Sequence, residues 1–189
     1  AILTLTVFLV INAVMVGAFN ANLHDVIYDV IQKPLTGLGS SLPATLVSIF
    51  FIQFLWFFGL HGQIIVNSVM DPIWNTLMLD NLEAYKAGES LPHIVTKPFM
   101  ETFTVGLGGS GMTLAVVIIL AFLMKKKQYT DIGRLALGPG IFNVNEPVIF
   151  GLPIVLNATI LIPWVLAPIV VTTLNYLVMA AGIVPAPTG

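Results

Sequence analysis

The sequence predicts an all-α polytopic membrane protein. Transmembrane helices are expected together with re-entrant or discontinuous helical segments and one interfacial amphipathic helix. Three observations carry the prediction. Hydrophobic residues make up 57% of the 189-residue chain and charged residues only 8%, against roughly 25% charged in soluble domains. Long stretches carry no charge. The apolar stretches near the C-terminal end are repeatedly broken by proline and glycine around a single carboxylate.

Residues 2–19 carry no charge and are just long enough to cross a bilayer core of roughly 30 Å. They open directly from Ala1 without a charged leader, so a signal peptide is not expected. Residues 22–33 change character. Leu23, Val26, Ile27, Val30 and Ile31 recur at the period of a one-sided helix, with Asp25, Asp29 and Gln32 mostly opposite. Such a helix lies along a membrane interface, or is buried within a bundle. Pro34 ends it.

Residues 42–60 form a second apolar span, dense in Phe and Trp. A polar patch at 75–101 follows, either at the membrane surface or lining a cavity. Residues 102–124 read as a third uncharged span, closed by Lys125, Lys126 and Lys127 with Arg134 beyond, four of the seven basic residues. The positive-inside rule places that cluster in the cytoplasm, so this span is expected to run outside to inside. Residues 160–183 supply a last long apolar segment.

Past Arg134 the only charged residue is Glu146. Around it stand Gly138-Pro-Gly140, Pro147, Pro153, Pro163 and Pro168. Proline removes a backbone donor, and freed carbonyls in lipid need other partners. Broken helices around one charge suggest segments that line a polar site. A carboxylate in a membrane costs at least ~2.5–3.5 kcal/mol and is usually functional. Asn143 and Asn145 beside it add amide donors and acceptors, which suit a ligand rich in hydroxyls. Pro147 suits a first helical turn, so Glu146 is expected at or beside a helix N-terminus. The alternative is a structural cap at a helix break.

His61 follows the second span and is either a packed hydrogen-bonded group or a functional one. An imidazole can donate or accept. His24 and His93 sit in polar segments where solvated roles fit. Trp56 could stack on a sugar ring or pack between helices. The glycines at 106–111 lack the Lys-Ser/Thr of a phosphate-binding loop. They allow close helix packing or let backbone approach a ligand, which makes Gly109 and Ser110 candidates. No metal-ligand spacing occurs, no cofactor is expected, and the absence of cysteine removes thiolate chemistry from this chain. Without a basic patch, no nucleic-acid partner is expected.

FNVNEPVIFGLPIVLN at 142–157 closely resembles the signature of phosphotransferase-system EIIC components, the sugar permeases of the lactose, cellobiose and diacetylchitobiose family. WFFGLHG at 56–62 resembles that family's histidine-glycine motif, and GGSGMTL at 108–114 fits too, in the family's order. The resemblance implies a multi-pass protein of the bacterial plasma membrane, homodimeric when intact. In it, residues 1–20 end an N-terminal dimerisation region and 21–189 form part of the substrate-binding region. The chain then reads as a fragment of a longer permease.

The resemblance also implies a function. A disaccharide is bound and carried inward, and its 6-hydroxyl is phosphorylated by the phosphocysteine of a IIB protein or domain. The chain is thus part of a multi-component sugar phosphotransferase whose donor residue lies elsewhere. Glu146 and His61 match the family's substrate-contacting acid and histidine, while Asn20 and Trp56 are further pocket candidates. Two other readings stay open on the residues alone: a proton-coupled secondary sugar transporter with Glu146 as proton carrier, and a membrane anchor in which Glu146 only caps a helix.

Overall fold

The computed structural model describes residues 2–19, 39–104 and 108–188. The chain divides into two compact units, 1–39 and 40–189. The first contains α1 (Ile2–Phe19), an uncharged helix of 18 residues. The expected amphipathic helix at 22–33, with His24, lies outside the described residues, as does Asn20.

The second unit begins with α2 (Leu42–Phe57). Ser41 caps it by accepting from the Ala44 N–H at 3.4 Å, and Pro43 occupies the first turn. Ile49, Ile52, Gln53 and Trp56 are buried, spaced as one helical face. Phe50, Phe51 and Phe58 are exposed, as expected of a lipid-facing side. After a turn at Gly59 the chain reverses into α3 (Gly62–Ala87), which ends on Gly88 in the left-handed conformation, φ +74°. The polar patch predicted from residue 75 is therefore, in its first part, the second half of a long helix. Ile73, Trp74 and Leu77 face inward there. Fully buried Asn81 accepts from His93 N–H at 3.0 Å and donates to the carbonyls of His93 and Pro187, closing the loop after α3 against the C-terminal segment. Lys97 opens α4 (Lys97–Thr102) and pairs with Asp71 of α3 at 2.5 Å and with Glu101 at 3.2 Å.

The third span expected at 102–124 is not one helix. Helix α4 stops at Thr102, and α5 (Leu114–Phe122) has only 9 residues, about 13 Å of rise against the roughly 30 Å of a bilayer core. The break has a local cause. Gly108, Gly109 and Gly111 have φ of +87°, +81° and +79°, and Met112 +55°, all outside the right-handed helical region. The outside-to-inside direction assigned to a continuous span loses its basis.

Helix α6 (Lys127–Ile141) folds back on α5. Gly133 makes this hairpin possible, because a Cβ there would stand 2.3 Å from the Ala121 amide nitrogen and 2.7 Å from Leu120 Cβ. Helix propensity favours Ala over Gly by about 1 kcal/mol, but overpacking against backbone costs about 1–3 kcal/mol. Gly133→Ala is therefore expected to lower the thermal midpoint in detergent; an unchanged or raised midpoint would count against this packing.

The short α7 (Glu146–Gly151) follows, then α8 (Ala158–Ala180), capped by Asn157 accepting from Thr159 N–H. Among the described residues, α8 is the one helix long and apolar enough to cross a membrane. Ile162, Leu166, Val170, Leu174 and Leu177 form its exposed stripe, while Trp164, Val165 and Thr172 are buried. Apolar residues on both faces are what a helix shows when lipid replaces water. The core joins Ile52 and Trp56 of α2 to Val117, Ala136, Val148, Ile149, Trp164 and Val165, so the broken segments are packed against α2 and α8.

Candidate functional site

The turn after α2 places His61 at the N-cap of α3, where its Nδ1 accepts from the Ile64 N–H at 3.3 Å. A nitrogen that accepts carries no proton, so neutral His61 holds its proton on Nε2. That Nε2 lies 3.6 Å from Glu146 Oε1, with the two side chains 40% and 41% exposed. The separation is an ion-pair distance longer than a hydrogen bond. Glu146 is the first residue of α7, Asn145 is its N-cap and Pro147 stands in its first turn, as the Glu-Pro pair predicted. A ligand hydroxyl set against both groups would donate to the carboxylate and accept from the imidazole.

Trp56 is 2% exposed, and its ring centre lies 4.4 Å from that of His61. Its indole N–H donates to Ser110 Oγ at 3.0 Å. So placed, Trp56 backs the imidazole and ties it to the glycine loop.

The glycine loop is clamped from the other side by the Asn-Val-Asn-Glu segment. Gly108 N–H donates to Asn143 Oδ1 at 2.8 Å, and Asn145 Nδ2 donates to the Ser110 carbonyl at 2.5 Å. Asn143 stands in the left-handed region, φ +63°, a conformation asparagine adopts more readily than most residues. A Cβ on Gly109 would lie 2.6 Å from the Asn143 carbonyl oxygen and 2.8 Å from Asn145 Cγ. Across the loop, a Cβ on Gly111 would meet the Trp164 ring at 2.3 Å, and Trp164 donates to the Gln53 carbonyl at 3.1 Å.

All seven described candidates thus form one cluster around His61 and Glu146: those two with Trp56, Asn143, Asn145 and Ser110, and Gly109 as the close-packing point. Ser110 is 1% exposed and Asn145 4%, so both act in this arrangement as struts, and Asn143 spends its carbonyl oxygen on the loop. Gln63 joins the cluster through Ser110, which donates to its Oε1 at 3.1 Å. The signal for it was a lone amide just past His61 in an apolar stretch. His93 lies elsewhere, 3.2 Å from Asp80.

A cavity of about 710 Å³ opens between α5, α7 and α8, lined by groups such as Leu114, Ile118, Val148, Ile160 and Trp164. Neither His61 nor Glu146 lines it, and its apolar walls do not suit a hydroxyl-rich ligand. Among the described residues no cluster of three or more metal-ligating side chains occurs.

Fold and site together define a helical membrane protein that brings a carboxylate to an imidazole between interrupted segments. Residues 1–168 match the family model described as Phosphotransferase system, EIIC, and the chain belongs to that family. The oligo-beta-mannoside-specific EIIC component of Bacillus subtilis (strain 168) is 63% identical over 189 residues, covering 100% of this chain and 43% of that protein. The cellobiose-specific EIIC component of Geobacillus stearothermophilus is 40% identical over 168 residues, 88% of this chain and 37% of that protein. The crystal structure of the transporter ChbC, the IIC component from the N,N'-diacetylchitobiose-specific phosphotransferase system, matches with a TM-score of 0.81 and 37% identity, over 99% of this chain and 43% of that one. The chain spans about two fifths of the length of these relatives.

Proposed function

We propose that the intact protein is a multi-pass sugar permease component of the plasma membrane, acting in a phosphoenolpyruvate-dependent phosphotransferase system. Its ligand is a β-linked disaccharide of the cellobiose, diacetylchitobiose or lactose kind, bound at His61 and Glu146. The apposition of these two side chains carries the reading, and the family membership and the names of the relatives support it. Residues 1–20 end a dimerisation region and 21–189 belong to the substrate-binding region of a homodimer.

The chemistry follows from the pair. The sugar's 6-hydroxyl donates to Glu146 and accepts from His61 Nε2–H, which leaves one oxygen lone pair free for attack. That oxygen attacks the phosphorus of phosphocysteine on the IIB protein or domain. The O–P bond forms, the P–S bond breaks, the thiolate leaves with IIB, and Glu146 takes the hydroxyl proton. Phosphoryl transfer rests mainly on positioning and charge stabilisation, so the pair's first task is to fix the 6-hydroxyl. The chain has no cysteine, consistent with a donor on the partner.

Everted membrane vesicles separate this from a proton-coupled carrier. Sugar phosphate is expected to accumulate only with phosphoenolpyruvate and IIB present, and to be indifferent to an imposed pH gradient. Accumulation of unmodified sugar driven by the gradient alone would replace the phosphotransferase reading with the proton-coupled one.

A further inference from the structure

The geometry points to Gln63 as an additional sugar-binding residue, whose side-chain amide N–H groups are aimed by Ser110 at a hydroxyl other than the one held by His61 and Glu146. The inference rests on the sugar-site reading above and adds to it a residue and a hydrogen-bond direction.

The direction is forced by chemistry. An indole nitrogen can only donate, so in the 3.0 Å contact between Trp56 and Ser110 the serine oxygen accepts. The hydroxyl has one proton, and Ser110 is 1% exposed. That proton must find an acceptor or be stranded unpaired in the interior. The acceptor is Gln63 Oε1 at 3.1 Å. Turning the amide over would leave the hydroxyl proton without a partner. The chain of bonds therefore runs Trp56 to Ser110 to Gln63 and fixes which end of the amide faces inward.

The other end is Nε2 with two N–H donors. Gln63 is half-buried and makes its side-chain bond only to Ser110 among the described residues. It stands in the first turn of α3, two positions from His61, and Ser110 in turn holds Asn145, the neighbour of Glu146. A donor pair two positions from His61, and tied through Ser110 to the neighbour of Glu146, complements a sugar, whose hydroxyls accept as readily as they donate. Preorganisation matters here: an amide already locked by Ser110 loses little freedom when it binds.

The test uses the full-length permease and a panel of monodeoxy analogues of the disaccharide it binds, with affinities from calorimetry. In the natural protein, one analogue lacking a hydroxyl other than the 6-hydroxyl is expected to bind about tenfold more weakly than the parent sugar. In Gln63→Met that selective penalty is expected to vanish, and in Ser110→Ala to shrink to about threefold or less. Gln63→Leu also removes the donors, with a side chain of similar volume and no polar atom to offer the sugar, so it should erase the penalty as well. It serves as the second variant should the methionine fail to fold. A purely structural role would weaken all analogues alike. If every deoxy penalty survives in both Gln63 variants while Glu146→Gln loses binding, the Gln63 assignment is overturned and the sugar site stands. If Glu146→Gln binds normally, Glu146 is not a sugar-binding group, and the reading on which the Gln63 assignment rests is overturned.

Discussion

Glu146→Gln in the full-length permease is expected to weaken disaccharide binding by about 2- to 30-fold and to reduce IIB-dependent uptake further still. The substitution is nearly isosteric and keeps a carbonyl acceptor at the first position of α7. What it removes is charge. Hydrogen bonds to an ionised partner contribute about 1.5–3 kcal/mol, against about 1 for neutral pairs, and one power of ten corresponds to 1.4 kcal/mol. The glutamine also adds N–H donors facing His61 Nε2, which itself donates because Nδ1 is engaged by Ile64. A hydroxyl between two donors accepts from both and is left without the carboxylate that took its own proton. Uptake is expected to lose more than affinity because Glu146 is proposed also as the proton acceptor. Equilibrium binding and phosphoenolpyruvate-driven uptake, measured on one preparation, check both parts. Normal binding with lost uptake would make Glu146 a base and not a binding group; normal values of both would leave it a helix cap.

The membrane class, the carboxylate and its helix position were legible in the sequence for reasons that are physical and local. A charge-poor chain has no way to cover itself in water, and Glu146 followed by Pro147 reads as a helix start. The last span was legible too, predicted at 160–183 and observed as α8 (Ala158–Ala180). The expected continuous span at 102–124 failed because hydropathy reports only the absence of charge. It does not report backbone conformation, and three glycines with positive φ decide that segment. The pairing of His61 with Glu146 could not be read from spacing, since it depends on α2, the α5–α6 hairpin and α7 all packing into one core. Asn143 and Asn145 stood out in the sequence as amides beside Glu146. Their observed bonds, to Gly108 N–H and the Ser110 carbonyl, are long-range contacts 35 positions apart.

That clamp yields the other large expected effect. Gly109→Ala is expected to reduce sugar binding by at least about tenfold and to lower the thermal midpoint, although only a methyl group is added. Gly109 has φ +81°, where a side chain costs about 1–2 kcal/mol. The added carbon would also stand 2.6 Å from the Asn143 carbonyl oxygen and 2.8 Å from Asn145 Cγ. Backbone cannot rotate out of the way as a flexible side chain can. The loop and the Asn-Val-Asn-Glu segment must separate, which breaks the bond from Asn145 to Ser110 and shifts Glu146 relative to His61. Displacements near 1 Å at a binding pair are enough to lose two orders of magnitude in a positioned reaction, so uptake should fall more than affinity. Gly140→Ala is the matched control in the same broken stretch. Its Cβ would meet Val117 and Leu114 side chains at 3.7 and 3.8 Å, ordinary contacts, and alanine is the better helix former. It should leave binding unchanged. Equal losses in both variants would show that the stretch resists any added bulk, and would remove Gly109 from its place as the close-packing point that holds carboxylate and imidazole together.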